Sequence, residues 1–261
     1  TLCVDRLQLA LQIDRPLTPE VHGALKPLLG RRARREPLQY ILGRVGFREV
    51  PLSVDPRVLI PRPETEELVG VVLGWAHGRA AQGGRVELTA LDVGTGSGCI
   101  ALSLAMEGPF RWVVGTDPSP DALEVAGKNA EGVGLGERVV FRCGALFEPV
   151  AQERFAVVVS NPPYVPVGDA GELEPEVGDW EPAGALFAGE DGLDVIRPLV
   201  EDAPAHLEPG GLLALEVGLG QSDAVATLIR RTGHFHEPEV ILDLSRRPRM
   251  VTACRLETDE A

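Results

Sequence analysis

The sequence predicts an α/β protein with a seven-stranded, doubly wound, mostly parallel sheet, preceded by a small, mainly helical domain that carries a β-hairpin. From residue 85 onward, apolar strand-like runs alternate with helical patterns, which is typical of parallel sheets. Only residues 245–248 separate the last two strand candidates. That is too short for a crossover helix, so we expect an antiparallel hairpin at the end of the sheet. The N-terminal third lacks this alternation, and we expect it to form a separate unit.

The N-terminal third has the pattern of helices around one hairpin. Thr18 can cap a helix that has Pro19 in its first position. Short apolar runs bounded by glycines are typical of a hairpin, and a small, polar stretch that follows resembles a linker. The predicted helices are 7–13, 19–36 and 66–77, the hairpin covers 40–47 and 50–54, and the linker covers 78–84.

The remainder of the chain supplies the sheet and its helices. Most strand candidates are short apolar runs that are followed by a helical pattern. The predicted strands are 86–93, 112–116, 138–143, 155–160, 211–217, 238–244 and 249–256, and the predicted helices are 97–107, 119–132, 193–206 and 221–232. The chain is thus divided into a helical region 1–40, a hairpin with a connecting helix 41–82, and an α/β domain 83–261.

The composition limits the possible functions. The chain has 261 residues and a net charge of −14, and it contains no apolar run long enough to cross a membrane. The N-terminus lacks the basic and apolar regions of a signal peptide. The negative charge argues against long contacts with nucleic-acid phosphates. Two basic runs, 31–35 and 246–249, are interpreted as solvated surface, with a protein or RNA partner surface as the alternative.

Cysteine and histidine residues are scattered along the chain. The four cysteines show neither metal nor redox spacing, and His234 and His236 have no third ligand nearby. We therefore expect no metal site, and we expect a reducing, cytoplasmic location.

A glycine-rich segment connects the first strand of the α/β domain to its helix. Residues 92–98 read DVGTGSG. Glycines at such a turn let the backbone lie against a ligand. In the nicotinamide-binding fingerprint, counted from Gly94, the third glycine would fall at position 99, which is Cys99 here. The loop therefore suits a ligand without a pyrophosphate, with Asp92 able to face a cationic amino group. A plain tight turn is the alternative.

Asp117 ends the second strand of this domain. Ligands of open α/β sheets bind at the carboxyl ends of strands, where one carboxylate can accept hydrogen bonds from both ribose hydroxyls. Residues 117–120 read DPSP and precede a helix, so helix capping is the alternative role. The nearby glycine loop favours ribose binding.

Asn161, Pro162, Pro163 and Tyr164 directly follow the buried strand 155–160. The two prolines fix a rigid, extended turn. The side-chain carbonyl of Asn161 and the backbone carbonyl of Pro162 can accept both N–H groups of a planar amine or amide, and Tyr164 can stack on its flat face. These contacts push electron density onto a weakly nucleophilic nitrogen and direct its lone pair at a methyl group. An ordinary proline turn is the alternative.

Together these features resemble the class I S-adenosylmethionine-dependent methyltransferases and, more narrowly, the HemK/PrmC-type glutamine N5-methyltransferases. The specific part is N-terminal, where residues 35–43 read REPLQYILG and residues 59–66 read LIPRPETE. The resemblance continues through 92–98, Asp117 and 160–164, so it covers nearly the whole chain. The four residues 161–164 alone are shared with DNA adenine-N6 enzymes.

The resemblance implies methyl transfer from S-adenosylmethionine, with S-adenosylhomocysteine as product, to the side-chain N5 of the Gln in the Gly-Gly-Gln motif of class 1 peptide chain release factors. Residues 1–40 would recognise that substrate. The implied catalytic residues are Asn161, Pro162 and Tyr164. The implied cofactor-binding residues are Asp92, Gly94, Thr95, Gly96, Ser97, Gly98, Asp117, Ala145, Leu146 and Asn161. The implied substrate-binding residues are Asn161, Pro162, Pro163, Tyr164, Arg62, Pro63 and Glu64.

The segment after the third strand of the α/β domain departs from the family. Many members have an acidic residue there that contacts adenine, whereas this chain has Ala145. Backbone groups of Ala145 or Leu146, and packing of Leu146, would then hold the ring. By the same resemblance we expect the N-terminal bundle to lack a first helix. We also expect a monomer, and the composition and charge predict neither a membrane nor a direct nucleic-acid partner.

Three alternatives share parts of this pattern. A ribosomal-protein glutamine methyltransferase would use the same site. A nucleic-acid adenine or guanine N-methyltransferase would need a base-flipping pocket and a basic channel. A binding module without catalysis would not need the two converging acceptors at residues 161 and 162.

Overall fold

The computed structural model describes residues 6–11, 14–82 and 87–257. Its N-terminal unit consists of helices around the predicted hairpin, in which β1 and β2 pair antiparallel. Residues 12 and 13 of the first predicted helix, and residues 83 and 84 of the predicted linker, lie outside the described residues. The elements are α1 (Arg6–Leu11), α2 (Pro19–Ala33), α3 (Leu38–Leu42), β1 (Arg44–Phe47), β2 (Val50–Ser53) and α4 (Pro63–Gln82).

Three predicted elements of this unit have bounds that differ from those in the structure. Helix α2 ends at Ala33 instead of residue 36, because Arg35 takes a left-handed backbone conformation with φ of 66°. The residues before β1 form the short helix α3 instead of strand. Helix α4 begins at Pro63, a residue suited to a first turn, and continues into the predicted linker to Gln82, because isolated glycines such as Gly78 do not break the helix.

The α/β domain contains the predicted seven-stranded sheet. Its strand order is β5-β4-β3-β6-β7-β9-β8, with parallel pairs from β5 to β7 and antiparallel pairs at β9. The predicted C-terminal hairpin is confirmed, and β9 lies between β7 and β8. The strands are β3 (Leu88–Val93), β4 (Phe110–Asp117), β5 (Val139–Cys143), β6 (Phe155–Ser160), β7 (Leu207–Glu216), β8 (Glu239–Leu242) and β9 (Pro248–Cys254).

The helices cover both faces of this sheet. One apolar core joins α4, α5 and the hairpin to the sheet, and a second joins α8 and α9 to its other face. A smaller cluster, which includes Tyr40, Val58 and Val125, joins the N-terminal unit to α6. Among the described residues, no helix combines the length and the apolar character needed to cross a membrane. The helices are α5 (Cys99–Glu107), α6 (Pro120–Gly132), α7 (Pro175–Gly178), α8 (Ile196–His206) and α9 (Ser222–Thr232).

The strand register brings four segments to one edge of the sheet. Val93 pairs with Thr116 on one side and with Ser160 on the other, and Ser160 pairs with Leu215. The residues that follow these positions are therefore neighbours at the carboxyl ends of β3, β4, β6 and β7. This edge is where ligands of doubly wound sheets bind.

Candidate active site

A cavity of about 580 Å³ opens at this edge of the sheet. Its volume is within the range of small-molecule sites. Strand ends form its floor, and part of the segment between β6 and α8 covers it. The residues that line it include Gly94, Gly96, Asp117, Leu146, Asn161 and Pro162.

The glycine loop forms its predicted tight turn. The backbone N–H groups of Gly94 and Thr95 both donate to the carbonyl of Thr116, at 2.8 and 2.9 Å, which fixes the loop to the end of β4. Gly94 and Gly96 have φ values of 73° and 54°, and a Cβ atom at either would meet no protein atom within 4 Å. No side chain therefore separates the loop backbone from the cavity at these two residues, so a ligand can lie directly against it.

Gly98 has a different role from the other two glycines. Its φ is 82°, and a Cβ atom there would lie 3.2 Å from Phe141 and 3.3 Å from Ala126. Gly98 is also the residue before α5, so the predicted helix start at residue 97 is too early. The close packing explains this third glycine without a ligand.

Asp117 is almost fully buried and lines the cavity. Its Oδ2 accepts from the Gly96 N–H and its Oδ1 accepts from the Ser119 N–H, both at 2.9 Å. Burial raises the pKa of Asp117, and these two hydrogen bonds oppose that rise. The contact with Ser119 is a local turn, while the helix cap itself is Ser119, which accepts from Ala122. Each carboxylate oxygen keeps a lone pair that can accept from a ligand hydroxyl.

Asp92 lies behind the glycine loop, fully buried, and does not line the cavity. Its Oδ2 accepts from the Thr95 hydroxyl at 2.7 Å and from the Ala101 N–H at 3.1 Å. Its Oδ1 has no hydrogen-bond partner within the described ranges. Burial raises the pKa of Asp92 to about 7. The carboxyl group ties the loop to the first turn of α5, and its contact with a cofactor remains a prediction.

Ala145 and Leu146 line the cavity beside Asp117. The Ala145 N–H donates to Glu148 Oε2 at 3.1 Å, so this backbone donor is already used. Leu146 has φ of 47°, and its carbonyl accepts from the Thr116 hydroxyl at 3.0 Å. Of the two predicted backbone groups, the Leu146 N–H is the one for which the structure shows no competing protein contact among the described residues.

The Asn161 corner, residues 161–164, closes the other side of the cavity. Asn161, Pro162 and Pro163 all line it. Just before the corner, the Ser160 hydroxyl donates to the carbonyl of Val93 at 2.6 Å, which holds the corner against the glycine loop. The predicted acceptors therefore lie beside the predicted cofactor loop.

A side-chain network supports this corner from behind. The Asn161 amide Nδ2 donates to Thr65 Oγ1 at 3.0 Å, and the Thr65 hydroxyl donates to Glu216 Oε2 at 2.6 Å. The other oxygen of Glu216 accepts from the Tyr164 hydroxyl at 3.3 Å and from Arg249 Nη2 at 3.5 Å. Arg249 Nη2 also donates to the Tyr164 hydroxyl oxygen at 2.9 Å, and its guanidinium lies 5.1 Å from the Tyr164 ring centre.

The network is shielded from water. Glu216 is 0% exposed, and the Arg249 side chain is 11% exposed. Burial raises the pKa of Glu216, while the Thr65 hydrogen bond and the charge of Arg249 oppose the rise. Burial and the nearby Glu216 raise the pKa of Tyr164, which keeps its hydroxyl protonated and able to donate. A buried carboxylate of this kind is stable only while all of its hydrogen-bond donors are present, so loss of one donor should destabilise the whole network.

Comparison with known proteins identifies the family. A family model described as the PrmC N-terminal domain matches residues 1–43, and one described as the methyltransferase small domain matches residues 82–172. A release factor glutamine methyltransferase of Geobacter sulfurreducens is 47% identical over 89% of this chain and 78% of its own length. One of Gloeobacter violaceus is 43% identical over 89% of this chain and 79% of its own length.

This chain belongs to the release factor glutamine methyltransferase family. Among solved structures, a methyltransferase from Pyrococcus furiosus has a TM-score of 0.59 and 20% identity, and the match covers 87% of this chain and 98% of that one. The likeness supports the class I methyltransferase fold.

The predicted substrate residues of the family's Arg-Pro-Glu motif do not line the cavity in this structure. Arg62 donates to both oxygens of the buried Glu181, at 2.7 and 2.8 Å, and Glu64 pairs with Arg247. Pro63 is the first residue of α4. The contact of Arg62, Pro63 and Glu64 with a substrate therefore stays a prediction, while the next residue of the motif, Thr65, contacts Asn161.

The sequence-based interpretation missed Thr65, Glu216 and Arg249. Glu216 gave a usable signal, since it is a single acidic residue at the carboxyl end of an otherwise apolar strand. Arg249 was assigned to a solvated basic run, and that interpretation is wrong because the residue is buried against Tyr164 and Glu216.

The other basic run is also engaged within the chain. Arg32 and Arg35 pair with Glu176, at 2.7 and 2.6 Å, in the segment between β6 and α8. Arg31 pairs with Glu36. Over the described ranges, no group of three or more His, Cys, Asp or Glu side chains is arranged to hold a metal ion.

Proposed function

We propose that this protein transfers a methyl group from S-adenosylmethionine to the side-chain amide nitrogen, N5, of the Gln in the Gly-Gly-Gln motif of class 1 peptide chain release factors. The observation that carries the proposal is the Asn161 corner, which lines the same cavity as the glycine loop and Asp117. The names of the curated relatives support the same reaction and the same class of substrate.

The residues present fit S-adenosylmethionine. Asp117 offers carboxylate lone pairs to the ribose hydroxyls, and the bare backbone at Gly94 and Gly96 leaves room for the methionine part. The side chain of Leu146 is available to pack on the adenine ring. When bound, this cofactor supplies a methyl group carried on a positively charged sulfur.

The Asn161 corner would prepare the substrate nitrogen. An amide nitrogen is a weak nucleophile because its lone pair is shared with the carbonyl group. If Asn161 Oδ1 and the Pro162 carbonyl accept its two N–H groups, they hold its plane and return electron density to nitrogen. The nitrogen would then gain the methyl group as the methyl–sulfur bond of the cofactor breaks, which leaves a neutral thioether, and one N–H proton would pass to solvent. The same two acceptors would stabilise the positive charge that develops before the proton leaves.

Two competing substrates define the assay. A ribosomal-protein glutamine would fit the same corner. A nucleic-acid base would also present a planar amino group, but the net charge of −14 disfavours a nucleic-acid channel. Purified release factor, ribosomal protein and DNA are therefore each incubated with the enzyme and methyl-labelled cofactor. A release factor whose Gly-Gly-Gln glutamine is replaced by alanine is the matched control.

Label is expected in the release factor, at the glutamine of the motif, and not in its alanine variant. In the same assay, Asn161→Ala is expected to lower turnover by at least about 100-fold, because an acceptor for the reacting group is lost. Its cofactor affinity should fall by less than about tenfold. Label in DNA and not in release factor, or near-normal turnover of the variant, would contradict the proposal.

A further inference from the structure

The side chain of Asn161 has two different ends, and only one of them suits the substrate. Its carbonyl oxygen can accept from a substrate NH2 group, whereas its own NH2 group would place donor against donor. The two ends are nearly equal in size, so packing alone does not select between them. The hydrogen-bond partner on the far side of Asn161 must determine which end faces the cavity.

That partner is Thr65, and the partner of Thr65 is Glu216. A hydroxyl group carries one proton. Thr65 donates it to Glu216 Oε2, at 2.6 Å. The charge of Arg249 beside Glu216 favours the ionised carboxylate, which can only accept. Thr65 Oγ1 is then an acceptor for Asn161 Nδ2, at 3.0 Å. These two hydrogen bonds therefore run in one direction, from Asn161 to Thr65 to Glu216, and they leave Asn161 Oδ1 to face the cavity.

The groups around Glu216 maintain the direction of these hydrogen bonds. On its other side lie two further donors, the Tyr164 hydroxyl and Arg249 Nη2. Arg249 also fills the acceptor side of the Tyr164 hydroxyl, which leaves the proton of that hydroxyl for Glu216. Because Glu216 is fully buried, water does not substitute for a lost donor or acceptor.

We propose that Glu216 and Thr65 are positioning residues that fix the orientation of the Asn161 amide, so that the site presents an acceptor to a nitrogen bearing two N–H groups. The identity of the reacting nitrogen rests on the proposed function. The orientation itself is a property of the free enzyme and is testable without a substrate.

Thr65→Val tests these hydrogen bonds most directly, because valine keeps the shape of threonine and removes the hydroxyl. Turnover on release factor should fall about 10- to 100-fold, since Asn161 loses the contact that sets its orientation. The dissociation constant of the cofactor should change by less than about threefold. Thr65→Ser, which keeps the hydroxyl, should retain turnover within about threefold of wild type.

Thr89→Val is the matched control. The Thr89 hydroxyl oxygen is buried in β3 and has no hydrogen-bond partner among the described residues. The same chemical change there should leave turnover within about twofold of wild type.

Glu216→Gln tests the hydrogen bonds at Glu216, on the far side of Thr65 from Asn161. A carboxylate accepts on both of its oxygens, whereas an amide has only one oxygen and cannot serve both Thr65 and the pair formed by Tyr164 and Arg249. We expect a loss of turnover similar to that of Thr65→Val, with the cofactor dissociation constant again nearly unchanged.

A spectroscopic measurement tests the orientation independently of activity. The side-chain amide signals of Asn161, identified by their loss in Asn161→Ala, are followed in a nitrogen-15 correlation spectrum of the free enzyme. Their hydrogen exchange should be slow in wild type, Thr65→Ser and Thr89→Val, and fast in Thr65→Val.

Unchanged exchange in Thr65→Val would overturn the inference, even if the enzyme proved to act on another substrate. Near-normal turnover of Thr65→Val, equal losses in Thr65→Ser and Thr65→Val, or a parallel loss of cofactor affinity would overturn it as well. Failure of the wild-type enzyme to label release factor would refute the proposed function alone.

Discussion

The two sides of the cavity are built in different ways. The proposed cofactor side uses backbone groups and one carboxylate from two segments, residues 94–98 and 117–119, at the carboxyl ends of adjacent strands. The proposed substrate side uses side chains from four separate segments, which contribute Thr65, Asn161 with Tyr164, Glu216 and Arg249. The first construction tolerates changes in most side chains. The second fails when one donor or acceptor is lost.

The largest effect that separates the two sides is expected for Asp117→Ala. If the carboxylate accepts from two ribose hydroxyls, as proposed, its loss should raise the dissociation constant of S-adenosylmethionine by at least about 100-fold. With saturating cofactor, turnover should fall much less, because the Asn161 corner is untouched. Isothermal titration and saturation kinetics measure the two quantities.

Asp121→Ala is the control for this variant. Asp121 is exposed in the first turn of α6. Its substitution removes the same charge close to the same strand end. Its cofactor affinity should stay within about twofold of wild type. An Asp117→Ala enzyme that binds cofactor normally but does not turn over would reverse the assignment of the two sides.

The difference between the sides also explains what the sequence could reveal. Strand and helix periods identified the sheet, the short connection at 245–248 identified its antiparallel end, and local motifs identified the cavity-lining Gly94, Asp117 and Asn161. Each of these signals is carried by residues that lie within a few positions of one another in the sequence. The cytoplasmic location and the monomeric state stay predictions.

The network of side chains gave no comparable local signal. Thr65 and Glu216 are 151 residues apart, and only the packing of α4 against β7 brings them into contact. Arg249 looked like surface because it stands in a run of arginines, yet β9 is inserted between β7 and β8 and carries it into the site. Such contacts depend on how helices pack on the sheet and on the order of its strands, which local patterns do not encode.

Asp92 supports the proposed cofactor side from behind the loop and does not line the cavity. Its pKa is about 7 in the folded chain against 3.8 as a free group, so between these values the folded state binds more protons than the unfolded state. The free energy of unfolding should therefore fall as pH rises from about 4 to about 7, by at most about 1.4 kcal/mol per pH unit.

Asp92→Asn should remove this part of the pH dependence. Denaturant unfolding of the cofactor-free wild type and variant, at several pH values in this window, measures the difference. Parallel pH profiles of the two proteins would show that Asp92 titrates normally and would contradict a pKa raised by burial behind the loop.

The smallest expected effect concerns the adenine end of the cavity. Ala145 is exposed there and offers no side-chain acceptor, while its N–H is used by Glu148. Ala145→Asp should add an acceptor for the adenine amino group and lower the cofactor dissociation constant about three- to tenfold. Turnover at saturating cofactor should not change. An affinity that is unchanged, or lower, would show that adenine does not approach residue 145.

The most direct measurement is a crystal structure of the enzyme with S-adenosylhomocysteine and a Gly-Gly-Gln peptide. We predict that the glutamine side-chain nitrogen lies within hydrogen-bond distance of Asn161 Oδ1 and the Pro162 carbonyl, with Asn161 Nδ2 on Thr65. A glutamine held elsewhere in the cavity, or an Asn161 corner turned away from the cofactor sulfur, would contradict the proposed function and the orientation of its central amide.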